Sequence, residues 1–129
     1  MSQELLEVND QENPIPERLP ILPLRNMVLY PELVMPLHVE RAASQKLVDD
    51  VVSGNQLMVV VAQKDKQVEN PGSSDLYDVG VIAGVMKLVK QTDGSYQIIV
   101  RARQKVRLED VQPLEKYYDA RVQVIPEDP

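Results

Sequence analysis

The sequence predicts a mainly β fold with one principal helix, in which about six short strands close into a twisted, barrel-like sheet. Three observations carry this. Several segments are apolar at strand length or alternate with period two. One segment alone, Arg41 to Ser53, repeats its apolar residues at the helical period. The chain also has no Phe and no Trp, so Leu, Val, Ile, Met and Tyr must fill the core, and branched aliphatics favour sheet packing.

Taken in order, Ser2 to Arg18 holds Glu4, Glu7, Asp10, Glu12 and Glu17 with Pro14 and Pro16. Residues 1–18 are expected to be a flexible acidic tail, with Leu5, Leu6 and Val8 as its one docking element. Residues 19–129 are expected to form a single domain. Leu19-Pro20-Ile21-Leu22-Pro23-Leu24 is apolar but broken by proline, which lacks a backbone donor. It reads as an edge strand or an extended lead-in rather than a central strand. Val28-Leu29-Tyr30, Leu33-Val34-Met35 and Leu37-His38-Val39 follow, separated by Pro31 and Pro36.

In the helix, Ala43, Leu47, Val48, Val51 and Val52 make one apolar stripe. Lys46 and Asp50 sit four apart outside it. Gly54 is expected to end the helix in the left-handed conformation. Leu57 to Ala62 is continuously apolar, as in a strand buried on both faces. Gln63 to Asp75 is a polar loop with a turn at Asn70-Pro71-Gly72-Ser73-Ser74. Val79 to Val89 is a long strand in which Gly80 and Gly84 mark a bend or bulge. Asp93-Gly94 suits a primed hairpin turn. Beyond it Tyr96, Ile98, Val100 and Ala102 alternate with mostly polar residues, then Val106 and Leu108, then Ala120, Val122 and Val124.

The chain has 129 residues, ordinary hydrophobic and charged fractions of 43% and 26%, and a net charge of −6. That length suits one domain. The acidic balance disfavours nucleic acid and anionic lipid as partners. With no cysteine, disulfides, thiolate metal sites and a cysteine nucleophile are excluded. The expected compartment is the cytoplasm, and no apolar run reaches the roughly 20 residues of a membrane span.

Catalytic parts are sparse. The single histidine, His38, lies on a strand between Leu37 and Val39 and reads as structural. No nucleophile, base and acid recur at a catalytic spacing, and no phosphate-cradling GxxxxGK[ST] run is present. Glu69, Asp75 and Asp78 lack the alternation of a calcium loop. Arg101, Arg103, Lys105 and Arg107 fall on alternate positions and form a basic stripe. A stripe that bound RNA would need stacking aromatics, and only Tyr96 lies near, with the parity of the apolar face. The expected catalytic, metal and cofactor residues are therefore none. The remaining candidate is an apolar, proline-broken stretch. There Met27, Leu29, Tyr30, Leu33 and Met35 either plug one end of the barrel or form an exposed apolar patch, and as a patch they are the expected contacts for other protein chains.

The run from Leu19 to Pro31 resembles the opening of Lon protease amino-terminal domains: an apolar-proline run, Leu24-Arg25, then the Tyr30-Pro31 pair. Met35 to Val39, Val59 to Asp65 and Asp75 to Ala83 resemble later segments of that family, in order and at suitable spacing. Glu32 departs from the pattern, because glycine commonly follows the aromatic-proline pair. The resemblance implies a PUA-like pseudo-barrel. It also implies a role in engaging misfolded, damaged or tagged proteins for an ATP-dependent protease assembled as a homo-hexameric ring. ATP, magnesium and a Ser-Lys dyad would belong to other domains of such an enzyme, so this chain is expected to be non-catalytic, and a monomer or weak dimer alone. The alternatives are a stand-alone Lon-type binding module and an RNA-binding PUA-like domain.

Overall fold

The computed structural model describes residues 4–7, 15–24, 33–65, 67–68 and 71–125. Seven strands and one α-helix appear: β1 (Glu4–Glu7), β2 (Arg18–Leu24), β3 (Val34–Val39), α1 (Ala42–Ser53), β4 (Leu57–Ala62), β5 (Val79–Lys90), β6 (Tyr96–Pro113) and β7 (Tyr118–Val124). The sheet order is β1-β5-β4-β2-β7-β6-β3, and β5 also pairs with β6. Strands β5, β4, β2, β7 and β6 therefore close a ring, which leaves no open edge among them. The far half of the β5–β6 hairpin leaves the ring, and carries β1 against β5 and β3 against β6.

Two cores follow from this division. Leu57, Val59 and Val61 of β4 face the ring interior with Leu19, Ile21, Ile82, Val106 and Ala120. Met58 and Val60 face the other way, toward Leu47, Val48 and Val51 of α1 and toward Leu37, Ile98 and Val100. The unbroken apolar run of β4 is thus explained by burial on both faces, as its sequence predicts. Gly80 lets β5 lie close on β4, since a Cβ there would stand 2.6 Å from the Val60 carbonyl oxygen. Register shifts in the β5–β6 ladder fall between Val81 and Ala83 and between Val85 and Lys87, beside the two glycines of β5.

Several details differ from the sequence reading. The proline-bearing β2 is not an edge strand but lies between β4 and β7. Its first half, Arg18–Pro20, pairs only with β7, and its second, Ile21–Leu24, only with β4. Each proline therefore has an unpaired side on which no donor is needed.

The region expected as a tail contributes to the sheet at both ends. Glu4–Glu7 pairs antiparallel with Lys87–Lys90, and the register sets Glu4 opposite Lys90 and Glu7 opposite Lys87. Arg18 opens β2, where its guanidinium bonds Asp119 at 2.9 Å and Asp110 at 3.1 Å.

The buried face of α1 is Ser44, Leu47, Val48 and Val51, with Val52 packed at its border, while Ala43 is exposed. Gly54 has φ −107, and Gln56 instead takes the positive φ after the helix. The β5–β6 turn carries positive φ only at Gly94, with Gly94 N–H donating to Gln91 C=O at 3.1 Å. That is a type I turn closed by a left-handed glycine, not the primed turn. Asp93 secures it by accepting from the Ser95 N–H at 2.9 Å.

Candidate functional site

Of the five expected contact residues, Met27, Leu29 and Tyr30 lie outside the described residues. Leu33 and Met35 are placed, and they differ. Leu33 is 46% exposed and its neighbour Val34 50% exposed. Met35 is half-buried and packs against the α1-side core, so it supports the surface from beneath. The alternation of β3 explains this: Met35, Leu37 and Val39 turn inward, and Val34, Pro36 and His38 turn outward.

The backbone of β3 is equally informative. Among the described residues it pairs with β6 alone, so its other edge has no partner strand there. The Leu33 carbonyl accepts from Ala102 N–H at 2.8 Å, toward β6. By alternation, Val34, Pro36 and His38 direct their backbone outward. Pro36 removes the middle donor of that row, which blunts the edge against another strand. An extended chain would be held here by side-chain contacts rather than by a continued ladder. Val34 also lines a shallow, open cleft with Arg101, Ala102, Arg103 and Gln104.

The basic stripe is dispersed by its surroundings. Arg101 and Arg103 are half-buried, and Arg107 lies 3.7 Å from Asp78. Tyr96 is not a stacking platform: its hydroxyl donates to Asp49 at 3.1 Å, and the Lys90 ammonium lies 5.6 Å from its ring centroid. His38 is exposed and bonds Glu40 at 2.9 Å. Of the imagined calcium ligands, Glu69 lies outside the described residues. Asp75 accepts the Gly72 N–H at 2.8 Å.

A second hydroxyl holds the helix. Tyr117 donates to Asp50 at 2.6 Å. Burial, then the bond to Asp50, pushes the Tyr117 pKa up to about 12. The Tyr117 hydrogen bond, with Lys46 beside it, holds the Asp50 carboxyl below its ordinary range. The sequence pairs Asp50 with Lys46, four positions away, but gives no sign of Tyr117, because 67 positions separate the two.

Comparison with known proteins decides the family. Residues 18–129 match the family model for the ATP-dependent protease La (LON) substrate-binding domain. The chain belongs to the Lon substrate-binding domain family. It is 51% identical over 114 residues to Lon protease 2 of Syntrophobacter fumaroxidans, covering 88% of this chain and 14% of that protein. It is 36% identical over 115 residues to Lon protease 2 of Thermus thermophilus, covering 89% of this chain and again 14% of the relative. The chain thus spans about one seventh of the length of these relatives. The fold is shared with the N-terminal domain of the Mycobacterium avium complex Lon protease, at TM-score 0.69 and 15% identity, over 87% of this chain and 56% of that one. A Lon N-terminal domain protein from Xanthomonas campestris superposes at TM-score 0.67 and 18% identity, over 87% and 62% of the two chains. The mainly β pseudo-barrel with one helix is therefore that of Lon N-terminal domains. The family was legible in the sequence because its motifs recur in order. No helix among the described residues is long and apolar enough to cross a membrane.

Proposed function

We propose that this Lon domain captures unfolded or damaged polypeptides through the surface around Leu33 and Val34, and delivers them to an ATP-dependent protease without itself catalysing any step. The observation that carries the reading is the pair of adjacent exposed apolar side chains on a sheet edge blunted by Pro36. Apolar residues exposed side by side favour protein contact over solvent. Arg101 and Arg103 in the adjoining cleft extend the contact toward acidic or polar stretches of a substrate. The acidic total and the engaged Tyr96 argue against RNA as the ligand.

A single copy is expected to bind weakly, and a homo-hexameric ring would add avidity through several copies. ATP and magnesium would act in other domains of such an enzyme, with a Ser-Lys dyad for peptide cleavage. The absence of cysteine suits a cytoplasmic setting. The test is titration of this chain against a permanently unfolded, fluorescently labelled protein. Binding with a Kd in the high-micromolar range, about −5 kcal/mol, is expected, with little dependence on salt. Leu33→Ser and Val34→Ser should each weaken it. Unchanged binding by both variants would remove the β3 surface from consideration.

A further inference from the structure

Outside the ring, the β5–β6 hairpin is bordered by one strand on each side, and the two borders differ among the described residues. β6 is bordered by β3, whose own outer row is interrupted by Pro36. β5 is bordered over Lys87–Lys90 by β1. This stretch of β5 contains no proline, so every residue in it keeps its backbone donor.

The Lys87–Lys90 edge is held from behind. Lys87, Leu88, Val89 and Lys90 pair with Ile99, Ile98, Gln97 and Tyr96 of β6. Those four residues are backed in turn by Pro36, Leu37, His38 and Val39 of β3. Leu88 is 1% exposed and belongs to the α1-side core. The edge is therefore built by β6, β3 and the core, and its shape does not depend on β1.

β1 is the least committed strand. It is four residues long, the shortest of the seven, and among the described residues it pairs with β5 alone. Residues 8–17 separate it in the chain from β2, which lies beyond β4 in the sheet. The match to the Lon substrate-binding domain begins at residue 18. The edge on β5 thus belongs to the shared domain, and β1 is an addition to it. Four residue pairs offer few ladder bonds against the entropy of ordering a chain terminus. Such a strand opens at lower free energy than the strands of the ring.

When β1 leaves, a preformed row of backbone donors and acceptors on β5 loses its partner, which makes a template for another strand. Main-chain bonds supply the affinity in strand addition, whatever the sequence added. An extended backbone is what unfolded polypeptides have in common. The position opposite Leu88 lies on the side of the α1 core, so an apolar residue is favoured there.

We propose that the Lys87–Lys90 edge of β5 is a strand-acceptor site for extended, apolar-containing segments of unfolded polypeptides, and that β1 covers it in cis as an exchangeable strand. The inference rests on the reading of this domain as a binder of protein substrates. It adds a backbone-directed contact to the side-chain contact at β3.

The test is fluorescence anisotropy of the full chain with a labelled peptide carrying the sequence of residues 2–9. Tethered β1 competes at an effective concentration on the order of 1 mM, so the unaltered chain should bind this peptide weakly. Leu5→Pro with Leu6→Pro removes two consecutive donors, one of which faces β5. This variant should bind the peptide at least about tenfold more tightly. Glu7→Cys with Lys87→Cys places two cysteines at facing positions of the register, in a chain that has no other. Oxidation should lock β1 in place and weaken peptide binding about tenfold relative to the same protein reduced. The peptide N-methylated at both leucines should not bind, because its side chains are kept and its donors are lost.

Equal binding by the proline variant and the unaltered chain would overturn the inference. So would equal binding by the oxidised and reduced proteins, failure of the cysteines to oxidise, or binding of the N-methylated peptide. A dimer of the unaltered chain that the lock abolishes, seen by sedimentation, would assign the edge to β1 of a second copy instead. Unfolded protein and Leu33→Ser separate this site from the β3 surface. Capture that depends on Leu33 and ignores both the lock and the proline variant removes only the strand-acceptor site. Capture that follows the lock and ignores Leu33→Ser removes only the β3 surface. Capture that responds to neither removes both.

Discussion

Strands β4 and β3 are equally short and apolar, yet they do opposite work. β4 has neighbours on both sides and cores on both faces, and Leu57, Met58 and Val59 are wholly buried. Among the described residues β3 has one neighbour, one covered face and an outer edge interrupted by Pro36. Burial on two faces makes β4 a source of stability. One-sided burial leaves β3 with apolar area that folding does not use. The domain thus keeps its stability inside the ring, and the contact surface proposed above lies on a strand outside it, where exposed positions tolerate substitution.

Four substitutions grade that contrast. The largest effect should come from the ring. Ile82→Ala, in a wholly buried position between the ring strands, should lower unfolding free energy by about 2–5 kcal/mol, read by chemical denaturation. A loss under 1 kcal/mol, the scale of a surface change, would mean that the ring interior is not a packed core.

A smaller effect belongs to the helix clasp. Tyr117→Phe removes one hydrogen bond to Asp50 and should cost about 1 kcal/mol near neutral pH. Its pH dependence is more diagnostic. The folded Tyr117 pKa, about 12, lies above the ordinary 10.0. The unfolded chain therefore loses this proton first, and the stabilisation present below pH 10 declines as pH rises toward 12. Asp50 has the opposite sign, because its folded pKa is lowered from 3.8. Its contribution is present above that value and fades as pH falls through the lowered one. Tyr117→Phe should flatten the alkaline decline; an unaltered slope would assign that decline to other groups.

The smallest effect on stability should come from β3. Leu33→Ser and Val34→Ser should each change it by no more than about 0.5 kcal/mol, even where they weaken binding of unfolded protein. A fall of their thermal midpoints comparable to that of Ile82→Ala would place them in the core and erase the contrast.

The sequence alone determined the β4 strand, the β5–β6 hairpin, the helix bounds and the family, because each rests on local periodicity or on motifs in chain order. Alternation also foretold the buried row Ile98, Val100 and Ala102. Tertiary structure decided the rest. β2 became an interior strand only because its two halves pair with different neighbours, and no local pattern encodes that division. Glu4–Glu7 joined the sheet through partners at Lys87–Lys90, a long-range pairing invisible in an acidic segment. Met35 and Val34 are adjacent and alike in hydropathy, and only their parity relative to β6 sends one inward and the other to solvent. The face of α1 is a similar case: the apolar pattern admits Ala43 as readily as Ser44. The packing of the helix on β2 buried the serine and left Ala43 exposed. Periodicity specifies which residues share a face, but the partner that covers the face is set by contacts between segments far apart in the chain, and those carry no local signature.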